Sequence, residues 1–162
     1  MRVAVLTVSD GVSRGQRQDA SGDAIAAWVA EQDGVVADRK VVADEAPAIR
    51  AALSDWADSG AADVVLTTGG TGLTARDVTP EATAAVLERV APGLAEALRS
   101  AGAASTPYAW LSRGVAGTRR RTLIVNLPGS TAGVRDGLRV LAPLLPHAVQ
   151  LIRGQDTRHQ DG

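Results

Sequence analysis

Thr67-Thr68-Gly69-Gly70-Thr71-Gly72 places three glycines within six residues, and Leu73-Thr74-Ala75-Arg76-Asp77-Val78-Thr79-Pro80-Glu81 follows directly. Glycines carry no Cβ, so their backbone N–H groups can approach an anion closely. Asp77 then sets a carboxylate a few residues beyond that anion site. Phosphate, carboxylate and a metal could meet there. The stretch is not a P-loop, because no Gly-Lys-Ser/Thr follows and Lys40 is the only lysine. It is not GxGxxG either. Its plain alternative is a tight turn with Asp77 as a cap or turn residue.

The neighbouring residues say what must position this loop. Asp63-Val64-Val65-Leu66 is a short apolar run rich in β-branched residues and reads as a buried strand from Val64 to Thr68. Thr79-Pro80-Glu81 reads as a helix start, with a Thr N-cap, Pro at the first helical position and an acid in the first turn. A glycine-rich loop leaving a strand end is where open α/β sheets bind ligands. Two other segments read the same way. Val3 to Val8 is a strand ending in Ser9-Asp10, and Thr122 to Asn126 is a strand ending in Leu127-Pro128-Gly129-Ser130. The last can offer amides at a helix start, or Ser130 can be a plain N-cap.

Further elements alternate along the chain. A helix is expected from about Asp23 to Gln32, a strand from Val35 to Val42, and a helix opening at Asp44-Glu45-Ala46-Pro47 and running to about Ser59. Glu81 to Val90 and Leu94 to Ala101 read as helices. Ala109 to Gly117 reads as a short helix or turn and then an edge strand, followed by a basic turn at Arg119-Arg120-Arg121. A last helix is expected from about Ala132 to Ala142, interrupted near Pro143 and Pro146 and resuming from His147 to Ile152. Strand–helix alternation of this kind predicts a three-layer α/β/α fold with a mostly parallel sheet and right-handed crossovers. Residues 1–153 are expected to form one domain and 154–162 a frayed, flexible tail.

Bulk properties exclude several classes. A length of 162 residues suits one domain, and 45% hydrophobic with 22% charged residues suits a globular chain. A net charge of −1 argues against nucleic-acid binding driven by bulk charge. No cysteine is present, which removes disulfides, thiolate metal sites and a cysteine nucleophile, and fits a cytoplasmic protein. The apolar start stops at Ser9-Asp10, too short for a signal peptide or a membrane span. Two separated histidines, His147 and His159, make a zinc site a poor reading. Gly11-Val12-Ser13-Arg14-Gly15 formally matches Gly-Xaa-Ser-Xaa-Gly, but a nucleophile elbow needs a sharp strand-to-helix turn, and this serine is expected in a long loop.

Taken together, Thr7 to Gly11, Thr67 to Glu81 and Leu123 to Ser130 resemble the MogA/MoaB family of molybdenum-cofactor biosynthesis proteins, which includes the gephyrin G domain. Ser112-Arg113-Gly114-Val115-Ala116-Gly117 and Val42-Ala43-Asp44-Glu45 resemble further family segments, and the likeness runs from about Arg2 to Arg153. The resemblance implies a MogA/MoaB-like fold and an enzyme that transfers AMP from Mg²⁺–ATP to the terminal phosphate of molybdopterin, releasing pyrophosphate. It also implies a homotrimer or hexamer, delivery of the product to a separate molybdate insertase, and no nucleic-acid or membrane partner.

By the same resemblance, Asp77 and Asp44 are the expected catalytic acids and Mg²⁺ ligands. Ser9, Asp10, Gly69, Gly70, Thr71, Gly72, Ser112, Arg113, Pro128, Gly129 and Ser130 are the expected nucleotide- and substrate-binding residues. Hard oxygen ligands suit Mg²⁺, and nucleotidyl transfer needs charge neutralisation and in-line positioning. The plain alternative for Asp44 is a helix cap. A non-catalytic molybdopterin-binding module is the alternative function, and a clustering scaffold is a third.

Overall fold

The computed structural model describes residues 1–154. The chain opens with β1 (Arg2–Val8), the short helix α1 (Asp10–Ser13), α2 (Ala20–Glu31), β2 (Val35–Val42), α3 (Ala46–Ser59) and β3 (Val64–Thr68). It continues through α4 (Thr79–Val86), β4 (Arg89–Val90), α5 (Pro92–Ala103), a 3₁₀ turn (Pro107–Leu111), β5 (Ala116–Arg119), β6 (Thr122–Leu127), α6 (Thr131–Leu141) and α7 (Leu145–Ile152). One six-stranded sheet runs β2-β1-β3-β6-β5-β4. The first four strands in that order pair in parallel, and β5 pairs antiparallel with both β6 and β4.

The central strands β1, β3 and β6 are buried along nearly their whole length. Strands covered on both faces read as continuous apolar runs, which is why Val64-Val65-Leu66 and Leu123-Ile124-Val125 look as they do. One face packs Val5, Leu66 and Val125 against Ile25, Val134 and Leu138 of α2 and α6. The other packs Leu6, Val65 and Ile124 against Ile49, Leu53 and Trp56 of α3 and Ala82 and Val86 of α4. Alternate residues of each strand thus belong to different layers, giving the three-layer arrangement. Each fully buried Leu or Ile contributes roughly 1.5–3 kcal/mol.

The chain leaves β1 toward β2 on one side and later returns to β3 on the other. Loops diverge at that switch point and leave a crevice. Four parallel strands end there, so the residues after Val8, Val42, Thr68 and Leu127 converge on one edge of the sheet.

Several elements differ from the sequence reading. The loop after β1 is not open until Asp23: Ser9 caps α1 by accepting from the Val12 amide at 3.2 Å, and Asp19 caps α2 by accepting from Gly22. The helix expected over Glu81–Val90 ends at Val86, because Glu88 and Ala91 donate to Thr118 and Ala116 of β5 and form β4. β5 is therefore an inner strand and β4 is the edge. Thr79 lies inside α4 rather than capping it, and the position before the helix is Val78. Arg120 takes φ 52° in the turn joining β5 and β6, where the basic run had been placed. His147 is exposed on α7. Apart from Gly154, the expected tail, with His159, lies outside the described residues.

Candidate active site

The glycine loop is shaped by two close approaches. A Cβ on Gly69 would stand 2.2 Å from the Val8 carbonyl oxygen, and one on Gly70 would stand 2.3 Å from Thr79 Oγ1. Both residues also take positive φ, 96° and 68°. No side chain fits there, so the loop passes bare backbone across the end of β1. Thr79 fixes its far side, donating its hydroxyl to the Gly69 carbonyl at 2.9 Å and its amide to the Gly70 carbonyl at 3.1 Å. Thr79 thus serves the loop instead of the helix start.

Asp44 and Asp77 line one cavity of about 530 Å³, together with Ser9, Gly69, Gly70, Gly129 and Ser130. Asp77 Oδ2 accepts from the Thr74 amide at 3.0 Å and from its hydroxyl at 2.8 Å, which sets the carboxylate in a local turn. Asp44 is not a helix cap. The residue before α3 is Glu45, which makes no side-chain cap bond. Asp44 Oδ2 instead accepts from the Asp10 amide at 2.9 Å, while the Asp44 amide donates to Asp10 Oδ1 at 3.0 Å.

This reciprocal pairing gives the two acids opposite characters. Burial pushes the Asp44 carboxyl up, and the negative charges of Asp10 and Asp77 add to the rise against the pull of the Asp10 amide and Arg76. Asp10 is lowered, chiefly by its hydrogen bonds from Arg76, whose Nε and Nη2 lie at 3.0 and 2.9 Å from the two carboxylate oxygens. Asp10 is therefore neutralised within the protein, and Asp44 and Asp77 are left facing the cavity. Two hard-oxygen groups whose negative charge lacks full compensation suit a divalent cation carried by phosphates. Among the described residues no group of three or more His, Cys, Asp or Glu is placed to hold a metal by itself.

The turn after β6 closes the cavity. A Cβ on Gly129 would stand 3.4 Å from Gly69 Cα, so the turn runs alongside the glycine loop. Thr68 donates its hydroxyl to the Pro128 carbonyl at 2.7 Å, and Ser130 caps α6 by accepting from the Gly133 amide at 3.1 Å. Beyond this wall lies a second cavity of about 310 Å³, which Thr71, Gly72, Ser112, Pro128 and Ser130 also line. Ser130 faces both cavities, so the glycine loop and the 128–130 turn form a shared partition.

Arg113 lines neither cavity. Its Nε donates to the Gly72 carbonyl at 2.8 Å, its Nη2 to the Asp77 carbonyl at 2.7 Å, and its Nη1 pairs with Glu81. The Arg113 amide also donates to the Thr71 carbonyl. Its guanidinium braces the loop that carries Asp77. Ser112, by contrast, reaches the second cavity and accepts the Gly114 amide at 3.3 Å.

Sequence reasoning missed Arg76 as the partner of Asp10, Arg99, and Asn126 as a site residue. Asn126 is buried, donates to the hydroxyls of Thr67 and Thr83 at 3.0 Å each, and accepts the Val115 amide at 3.1 Å. An amide side chain ending an otherwise apolar strand was the signal available for it. Arg99 donates to the Ser112 and Gly114 carbonyls and had no local signal. Ser13 of the formal hydrolase motif ends α1 and donates to the Asp10 carbonyl, away from any strand-to-helix apex.

The model of the probable molybdopterin binding domain matches residues 4–147. The chain belongs to this family. The molybdopterin adenylyltransferase of Helicobacter pylori strain J99 is 39% identical over 95% of the chain and 89% of its own length. A molybdenum cofactor biosynthesis bifunctional protein of Synechococcus elongatus is 43% identical over 94% of the chain, which spans 47% of that longer protein. Among solved structures, the molybdopterin biosynthesis enzyme MoaB of Thermus thermophilus superposes with a TM-score of 0.89 at 52% identity, covering 95% of this chain and 97% of the other. Both the MogA/MoaB resemblance and the three-layer fold expected from sequence are borne out. Among the described residues no helix is long and apolar enough to cross a membrane.

Within the family frame, the two cavities separate two kinds of chemistry. The first offers glycine amides, the start of α6 and two acids, all suited to a phosphate chain. The second is lined by Leu98, Tyr108, Ala109 and Leu111, suited to a flat ring.

Proposed function

We propose that this protein is a molybdopterin adenylyltransferase in molybdenum cofactor biosynthesis. A terminal phosphate oxygen of molybdopterin attacks the α-phosphorus of ATP. The bond from that phosphorus to the β-phosphate bridge breaks, and pyrophosphate leaves. The observation that carries the reading is the pairing of Asp44 and Asp77 beside a backbone cradle that no Cβ could enter. The adenylyltransferase named among the relatives, matched over 89% of its length, supports it.

In this reading Asp44 and Asp77 hold Mg²⁺, which would neutralise charge on the nucleotide phosphates when bound. Gly70 donates its amide to the phosphate chain, the Gly69 amide being held by the Leu127 carbonyl, and Ser9 and Ser130 border it. Thr71, Gly72, Pro128, Gly129 and Ser112 define the wall past which the two substrates meet. Positioning and charge compensation account for catalysis of this type, because the protein makes no covalent bond. A homo-oligomer, trimer or hexamer, cytoplasmic location and transfer of the product to a molybdate insertase belong to the same proposal.

The test is pyrophosphate release with Mg²⁺–ATP, with and without molybdopterin. Release that depends on molybdopterin is expected, and Asp77→Asn should lower it by orders of magnitude while the thermal midpoint stays nearly unchanged. The turn bonds from Thr74 to Asp77 favour a second reading, a binding module in which Asp77 is a turn residue. Molybdopterin binding without pyrophosphate release, or full activity in Asp77→Asn with a large fall in midpoint, would select that reading.

A further inference from the structure

The second cavity contains an acid that the adenylyl chemistry does not use. Asp136 lies in α6 and lines that cavity with Leu98, Tyr108 and Leu111. Its side chain is 18% exposed, and its bond runs through Oδ1 to Arg139 Nη1 at 2.9 Å, a partner that is 77% exposed. An ion pair with so solvated a partner is worth about 0–1 kcal/mol, so a ligand group can displace or share it. Arg99 also lines this cavity, but its guanidinium donates to the Ser112 and Gly114 carbonyls, so among the described residues Asp136 is the one acid on the lining and demands donors from whatever ring enters.

We propose that Asp136 selects the pterin ring, its two oxygens accepting from the N3–H and the 2-amino group. The inference rests on the reading of molybdopterin as substrate. A pterin presents those two N–H donors side by side, which matches a carboxylate bidentately. Adenine presents its N1 lone pair beside its amino group, and a carboxylate repels that lone pair. Asp136 therefore admits the pterin and turns the base of ATP away from this cavity. Ser130 and Asp136 are six positions apart on one helix, about 9 Å of rise. That span is comparable to the reach from the outer edge of a fused pterin to a phosphate on its side chain. The phosphate end would then lie at the partition and the ring beyond it.

The test titrates the purified protein with 6-hydroxymethylpterin and with 6-hydroxymethyllumazine, which carries a carbonyl in place of the 2-amino group. Pterin fluorescence reports binding. The pterin should bind at least about tenfold more tightly, as expected of a site built around a hydrogen bond the analogue cannot make. In Asp136→Asn the preference should fall to within about threefold. Asp136→Ala provides a second variant should the first fold poorly, and circular dichroism checks both. No preference in the natural protein, no binding of either compound, or a preference that survives both substitutions would overturn the assignment. Pyrophosphate release run in parallel separates the two proposals. Ring discrimination without release overturns the enzyme reading alone, and release without discrimination overturns the role of Asp136 alone.

Discussion

Asp44 and Asp10 show how one charge can be left for a ligand while its neighbour is spent. Asp10 receives a guanidinium, whereas Asp44 is pushed up by burial and two like charges against a backbone amide and the field of Arg76. Because the Asp44 carboxyl is raised, it takes up a proton on acidification before an ordinary aspartate does. Cation binding should therefore begin to weaken at a higher pH than an ordinary aspartate would give. Asp77→Asn removes one of the like charges and should move the Asp44 titration down, which carboxyl-resolved NMR can follow. An unmoved titration would mean that Asp77 is not electrostatically coupled to Asp44. Gly69→Ala belongs to the same scale. A methyl 2.2 Å from the Val8 carbonyl at φ 96° cannot be accommodated without moving β1 or the loop. A loss of at least about 2 kcal/mol is expected in denaturant titration.

The elements were unevenly legible in the sequence. β3 and β6 could be read because burial on both faces leaves an uninterrupted apolar run, and the loop after β3 stood out through its glycines. α4 was read too long because Leu87 to Val90 keeps a helical pattern, while pairing with β5 redirects it. That competition is tertiary and has no local signature. Thr79 was misplaced for a related reason. Threonine before Pro-Glu is a good cap in isolation, but here its hydroxyl is drawn to Gly69. The Asp44–Asp77 pairing joins loops after β2 and β3, and only the family likeness pointed to it. At this scale Arg113 is the tie between the 112–114 segment and the glycine loop. Arg113→Ala should speed amide exchange at Thr74 and Asp77 at least about tenfold and raise the KM for ATP. Arg113→Lys should restore little, since a lysine has no planar fork to span two carbonyls and Glu81. Unchanged exchange would show that the brace is redundant.

Across the whole molecule, Asp63 ties the start of the chain to its last described helix. Burial pushes its carboxyl up, but the Arg2 amide at 2.8 Å, the Arg2 guanidinium at 3.0 Å and Arg153 outweigh this and hold it at about 2. A carboxyl depressed on folding contributes stability that is fully present above its unfolded value near 3.9 and is lost as pH falls toward the folded value. The contribution is about 2–3 kcal/mol at neutral pH. Asp63→Asn should therefore lower stability by about that amount at pH 7, and the difference from the natural protein should shrink between about pH 4 and pH 2. A constant difference across that window would assign the loss to packing.

The close approaches of Gly69 to the Val8 carbonyl and of Gly70 to Thr79 set limits on how this protein can diverge. At those two positions the partition is bare main chain, with no side chain to exchange for another. Descendants that take a different ring must change at α5, at the 3₁₀ turn or at α6, where side chains form the wall. Phosphate handling on the other flank is inherited whole, so variation in ligand choice should accumulate on one side of the glycine loop only.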